Sequence, residues 1–480
     1  MLPFQFSEIS QYQRDAAKDM RDYSLEISQL RSRLMKNKDL LKKHIERLRS
    51  LSAPIRLLPV ELLSHIFVVV CEDDPILFSA GVSDWKTWHL PFTLASVCSG
   101  WRQIAINTSQ LWSNLGLEYG ANGGLVAIAR FEPPLRLCLA RSKSYPLSVY
   151  LGDCNSHINP EMNPLLRLLI EQSSRWRTAR IHDLVEETYP TLANGKSFPL
   201  LETLEIYGVD FDATVDLHLF NAAPRLHSLV INKLPSRQEL ESFTPRSQIT
   251  SLEVSGSDSA SIEALEGFPN LESVICAKVD HSLLPDNEEI RHQTLPHVHT
   301  VEIELGDFEA EQRSHTHNFL KLLIDNITLP SLTTLTIANM SSLPELEMFK
   351  GAWPHQSFSD LFQRSGPGCS LLALHLDDIS LPDKDLVALL GLSPYLTELR
   401  VKELRRVEYN FTGYPFQFQD VISPLFLTSL HAYDHGSSPL VPSWRAWISP
   451  QTVIFSTTKY FGKWSCRDGF QRKSMHRLLG

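Results

Sequence analysis

Between residues 199 and 432 a short phrase of the form L-x-x-L-x-φ, with φ apolar, returns again and again. The first copies are "PLLETLEI" (Leu201, Leu204, Ile206), "PRLHSLVI" (Leu226, Leu229, Ile231) and "SQITSLEV" (Ile249, Leu252, Val254). Then come "PNLESVIC" (Leu271, Val274, Cys276), "PHVHTVEI" (Val298, Val301, Ile303) and "PSLTTLTI" (Leu332, Leu335, Ile337). The series closes on "CSLLALHL" (Leu371, Leu374, Leu376), "PYLTELRV" (Leu396, Leu399, Val401) and a weak "LFLTSLHA" (Leu427, Leu430). "RWRTARI", around Trp176–Ile181, reads as a degenerate opening copy. The alternation inside each copy is that of a short strand with one covered face. One such unit cannot bury its own apolar face, but a stack can, and the stretches between copies often read as helical. The expected fold class is therefore α+β or α/β, arranged as a solenoid over residues 176–437.

This pattern resembles a leucine-rich repeat. The array is irregular, with 25, 23, 22, 27, 34, 39, 25 and 31 residues between successive first leucines. The asparagine or cysteine that the family places three positions after the strand is replaced by Val209, Leu234, Val279, Met340 or Ile379, so the usual asparagine ladder is missing.

Two elements precede the repeats. Residues 11–52 read as one helix without proline or glycine. Ile27, Leu30, Leu34, Leu41, Leu48 and Leu51 follow alternating steps of three and four, with Asn37 and His44 interrupting the seam. This coiled-coil-like helix could pair with itself in a homodimer or lie against the following domain.

Residues 54–115 carry "PIRLLPVELLSHIF" and, further on, "LPFTLASVCSGWRQIAINTSQLWSNL". Leu62, Leu63, Ile66 and Phe67 share one side of a short helix, and Leu94, Val97, Cys98 and Trp101 recur at three or four on another. Helices this small bury little core, which leaves apolar surface for a partner groove. The run closely resembles an F-box, the module that docks onto the Skp adaptor of cullin-based (SCF-type) ubiquitin ligases. The matching positions are Leu58-Pro59 at the opening turn, Glu61, Leu62, Leu63, Ile66 and Phe67 after it, and then Leu94, Val97, Cys98, Trp101 and Arg102. Ile104, Ala105, Leu111 and Trp112 match its close. The gap between Phe67 and Leu94, with an insertion at 68–93, is wider than the family's. Such insertions, the preceding helix and the phrase "RSKSYPLSVYL" are similar to F-box sequences of mushroom-forming fungi.

The resemblance implies a small helical F-box. Leu58, Pro59, Leu62, Leu63, Ile66, Phe67, Leu94, Val97, Cys98, Trp101, Leu111 and Trp112 would touch the adaptor. The chain would be the substrate-recognition subunit of a cullin ligase core, holding an unknown target protein on its repeats. The alternative is a scaffold without ligase partners, dimeric through its first helix. Residues 116–175 are expected to link or cap, with strands at "LRLCLA" and "PLSVYLG" and a helix at "NPLLRLLIEQSSRW". Residues 438–480 form a basic tail or cap.

A solenoid offers a strand-lined face. Residues flanking the inward positions should point outward: Thr203, Glu205, Tyr207, Ser251, Glu253, Thr300, Glu302, Glu304, His375, Asp377, Glu398, Arg400, Lys402, His431 and Tyr433. Acidic in its middle and basic near its end, this row suits a ligand with a basic segment followed by an acidic one, or is simply a solvated face.

Charge and motifs argue against other classes. Residues 11–56 and 438–480 each carry +6, leaving −22 for the rest of a chain whose net charge is −10. A body this acidic repels phosphate backbones, so no nucleic acid is expected as a partner. "NGKS" at Asn194–Ser197 lacks the glycine-rich loop of a phosphate site, since Pro190 stands where the first glycine belongs. The pairs His297/His299 and His315/His317 lack further ligands, and no catalytic motif occurs, so neither enzyme activity, metal nor cofactor is expected. The start has no signal-peptide pattern, and the longest apolar run, near Phe67–Cys71, is too short to span a membrane. A cytoplasmic or nuclear protein is expected, with its seven scattered cysteines reduced and the sequon at Asn326 unused.

Overall fold

The computed structural model describes residues 3–51, 53–72, 74–79, 89–118, 125–152, 164–182, 197–207, 217–232, 234, 237–254, 259–276, 291–305, 313–339, 353–377, 379, 381, 383–402, 445–449 and 452–456. It divides into two units, 1–70 and 71–480.

The first unit is helical. Helix α1 (Pro3–Leu51) is one uninterrupted rod of 49 residues, about 73 Å long at 1.5 Å per residue. It begins earlier than the sequence suggests, and every described side chain on it, residues 8–49, is exposed. A 3₁₀ turn (Pro54–Leu57) leads to α2 (Val60–Cys71), where the Leu63 N–H donates to the Pro59 carbonyl at 3.1 Å.

The second unit is built on a sheet. Its parallel strands begin with β1 (Ile76–Ser79), β2 (Asn114–Glu118), β3 (Leu147–Gly152), β4 (Trp176–His182), β5 (Thr203–Tyr207) and β6 (Ser228–Ile231). They continue through β7 (Ser251–Val254), β8 (Ser273–Cys276), β10 (Thr300–Leu305), β12 (Thr334–Asn339), β13 (Ala373–Asp377) and β14 (Glu398–Lys402). Each pairs with its predecessor, so the sheet grows along one edge in chain order. Short β9 (Gln293–Thr294) and β11 (Ile327–Thr328) pair with each other instead. Return segments such as Arg313–Asn326, His355–Ser365 and Asp383–Gly391 are helical.

The repeat phrase explains this architecture. All three apolar residues in each of the first eight copies are buried. The strand registers align them into continuous rows, for example Leu204–Leu229–Leu252–Val274–Val301–Leu335–Leu374–Leu399. Each anchor is worth roughly 1.5–3 kcal/mol of burial. Ordering a residue's backbone costs about 1–2 kcal/mol, so three anchors do not hold an isolated unit and stacking must.

Two main-chain devices set the spacing. Five of the six prolines that open quoted copies occupy the second place of tight turns, at Phe198–Leu201, Ala223–Leu226, Phe268–Leu271, Leu329–Leu332 and Ser393–Leu396. In each the fourth residue's N–H donates to the first carbonyl at 3.1–3.3 Å. The carbonyls of Glu202, His227, Thr250, Glu272, His299, Thr333 and Leu372 each accept two consecutive N–H groups from the next unit, at 2.8–3.2 Å. This backbone ladder needs no asparagine. Behind it, Trp176, Phe198 and Phe220 pack in a line with ring centroids 5.6 and 5.2 Å apart.

Two expectations change. The sheet starts at Ile76, inside the insertion expected at 68–93, and runs through β2 and β3, so residues 116–175 are not a separate linker. "LRLCLA" is helical, part of α5 (Leu125–Ser142), because Phe131, Leu135, Cys138 and Ser142 are buried at helical spacing while Leu137 stays exposed. A six-residue alternation fitted either period. At the far edge, β15 (Arg445–Ser449) and β16 (Thr452–Ser456) add an antiparallel hairpin to β14. The last copy, "LFLTSLHA", lies outside the described residues, as do His431 and Tyr433.

Candidate functional site

Helix α2 is apolar over more of its circumference than its own packing uses. Leu63, Phe67 and Cys71 are buried, at 5%, 1% and 6% exposure. Beside them Leu62, Ile66, Val69 and Val70, spaced i, i+4, i+7 and i+8, form an open stripe with exposures of 40–54%. Pro59 is exposed and Leu58 half-buried. Of the four residues expected on this helix to meet the adaptor, Leu63 and Phe67 are buried, and Leu62 and Ile66 are exposed.

Within the second unit, α3 (Leu90–Val97) and α4 (Ser99–Asn107) carry the rest of the motif. Cys98 caps α4, its Sγ accepting the Trp101 N–H at 3.4 Å. Val97 is exposed, whereas Leu94, Cys98 and Trp101 are half-buried. Leu111 and Trp112 are buried and do not offer a docking surface. The Trp112 indole donates to the Ala105 carbonyl at 2.7 Å, meets Phe92 edge-on at 5.0 Å and lies under the Arg141 guanidinium at 4.3 Å. Its size and its N–H are both consumed by packing.

The outer face of the sheet is the second surface. Strand registers place Arg180, Glu205, Val230, Glu253, Ile275, Glu302, Thr336, His375 and Arg400 side by side. Glu205, Glu253 and Glu302 thus occur on alternate strands, roughly 10 Å apart, with aliphatic residues between them. Tyr207 and Glu304 lie two residues further along their strands, and Thr203 and Thr300 two residues back. Burial first, and then the charges of Glu304, Glu205 and Glu302, push the Glu253 carboxyl above its ordinary range. Burial, and after it the charges of Glu253, Glu205 and Glu304, raise the Tyr207 phenol to about 12.

Both ends of this row are internally balanced. Arg180 Nε donates to Glu205 at 2.9 Å, and Arg177 to Glu202 at 2.7 Å. At the other end Arg400 forks onto Asp377 at 2.6 and 3.1 Å. His375 stands between the Thr336 hydroxyl at 3.3 Å and Glu398 at 3.2 Å. The expected basic end is therefore largely neutralised by its own neighbours, with Lys402 closing β14. The acidic middle persists. Sequence reasoning missed Tyr150, Arg180 and His182, of which "RWRTARI" holds only Arg180; the His182 ring lies tilted against Tyr207 at 4.6 Å and edge-on to Tyr150 at 5.3 Å.

Among the described residues no three His, Cys, Asp or Glu side chains converge as metal ligands, and no single helix is long and apolar enough to cross a membrane. No family model and no curated protein matches the chain. Among solved structures it is similar to a chain of the Toll–Spätzle complex of Drosophila, at 13% identity with a TM-score of 0.29. That match covers 59% of this chain and 35% of the other, so the chain spans about a third of its length.

Proposed function

We propose that the protein is a substrate receptor of an SCF-type ubiquitin ligase, an F-box followed by divergent leucine-rich repeats. The observation that carries this reading is the open stripe of α2, Leu62, Ile66, Val69 and Val70, in the segment that resembles the F-box. An apolar helix face of this kind is the usual guest of a hydrophobic groove on a partner. The Skp adaptor would take that stripe, and the cullin core would follow through the adaptor; Val97, in the second unit, is a further exposed position of the segment that resembles the F-box.

The sheet face would hold the target. Its acidic middle, Glu253, Glu302 and Glu304, suits a basic segment of a protein ligand, with the part-exposed Ile275 offering aliphatic contact between Glu253 and Glu302. Tethering a target beside a charged conjugating enzyme raises its effective concentration, so the bond-forming chemistry belongs to the partners. Co-purification of the full chain with adaptor and cullin tests the first half. Charge reversal at Glu253 and Glu302 together tests the second: target capture should fall while adaptor binding persists.

A second reading, a self-associating repeat scaffold, is favoured by one observation. The apolar seam of α1 is exposed along its described length.

A further inference from the structure

The helix α1 extends the seam beyond what the leucines alone suggest. Ile9, Ala16, Met20 and Tyr23 continue the three-four rhythm of Ile27, Leu30, Leu34, Leu41 and Leu48 toward the N-terminus. The exposures of the large apolar members run from 52% to 71%. Six heptads of unpaired apolar seam in water require a partner helix. We propose that this partner is α1 of a second copy of the chain, running antiparallel. The inference rests on the self-association reading above and is independent of adaptor binding.

Charge decides the orientation. Residues 3–26 of α1 carry −2, and residues 27–51 carry +6. A parallel pair lays the two basic halves against each other, and an antiparallel pair lays each basic half against an acidic one. The flanking positions agree. With Ile27 at a and Leu30 at d, Glu26 and Arg33 fall at g, and Arg31 and Lys38 at e. In a parallel pair Arg33 faces Lys38 of the second copy, twice by symmetry, which offsets the two attractive contacts of Glu26 with Arg31. In an antiparallel pair g meets g, so Glu26 faces Arg33, again twice.

The core layers sort the same way. In the antiparallel register centred on Ile27 opposite Leu30, Gln13 lies opposite His44, polar against polar, and Ala16 opposite Leu41, small against large. Asn37 then lies beside Met20. A parallel pair instead confronts Gln13, Asn37 and His44 each with its own copy, three wholly polar layers.

Sedimentation equilibrium on the full chain tests this with Arg33→Glu, an exposed helix position whose exchange leaves the fold intact. The antiparallel pair predicts a dimer that Arg33→Glu weakens about tenfold, two attractive contacts having become repulsive. Adding Glu26→Arg should restore it. A dimer that Arg33→Glu strengthens would establish the parallel pair, through a new contact to Lys38, and an unchanged dimer would remove the proposed contact; either overturns the orientation. A wild-type chain that stays monomeric at about 100 µM, where a Kd of that order already gives substantial dimer, would overturn self-association itself.

Discussion

The indole N–H of Trp112 donates to the carbonyl of Ala105, seven residues earlier, at 2.7 Å. Trp176 does the same to Leu169 at 3.1 Å. Trp112 ends a 3₁₀ turn just before β2 and Trp176 opens β4, so in both places the indole ties an earlier helix to the chain entering a strand. Trp112→Phe keeps most of the ring but orphans the carbonyl. We expect a loss of about 1–3 kcal/mol in urea unfolding, with adaptor binding retained.

Gly368 lies against the preceding unit. A Cβ built there would stand 2.9 Å from the Pro330 carbonyl oxygen, a backbone atom that cannot turn aside. Gly368→Ala should therefore cost about 1–3 kcal/mol by thermal unfolding, whereas Gly391→Ala, with open space around it, should be mild by comparison.

Glu253 links stability to pH. Its carboxyl is held above the ordinary range in the folded chain, so the folded state binds more protons than the unfolded one through that window. Stability from this group is accordingly lost as pH rises through it and is retained below. Glu253→Gln should raise the melting temperature at pH 7, and the gap should close as the pH falls below the ordinary carboxylate range. An unchanged gap would show that neither burial nor the neighbouring carboxylates disfavour its charge.

The cysteines give a simple readout of packing. Burial pushes Cys138 and Cys276 up to about 12, and burial followed by Asp74 pushes Cys71 to about 11. All three are free thiols. In the native chain they should resist a thiolate-selective reagent at pH 8 and react fully in denaturant. Fast native labelling at any of them would contradict the packing described.

The repeats were legible because each of the first eight copies presents three apolar residues at fixed spacing, and Leu201, Leu204 and Ile206 are buried as the seven described triplets after them are. The beginning of the sheet was not. β1 contributes only Ile76 and Phe78, and β2 only Leu115 and Leu117, too few to separate a strand from any short apolar run. On α2 the sequence marks an apolar helix but not its open side. Leu62 and Leu63 are adjacent leucines, and only packing distinguishes the exposed one from the buried one. The quenching of Arg400 by Asp377 depends on a diagonal contact between neighbouring strands, 23 residues apart in sequence. No local pattern encodes it.

The most direct test of the receptor reading is the affinity of the full chain for the purified Skp adaptor, compared among wild type, Leu62→Asp and Val97→Asp. Both substitutions sit on exposed surface, with 51% and 57% exposure, so circular dichroism and melting should match wild type. The account predicts tight wild-type binding that falls at least about tenfold in each variant, since a charge then enters an apolar interface. Wild-type binding that neither substitution changes, or no binding by the folded wild-type chain, would contradict it.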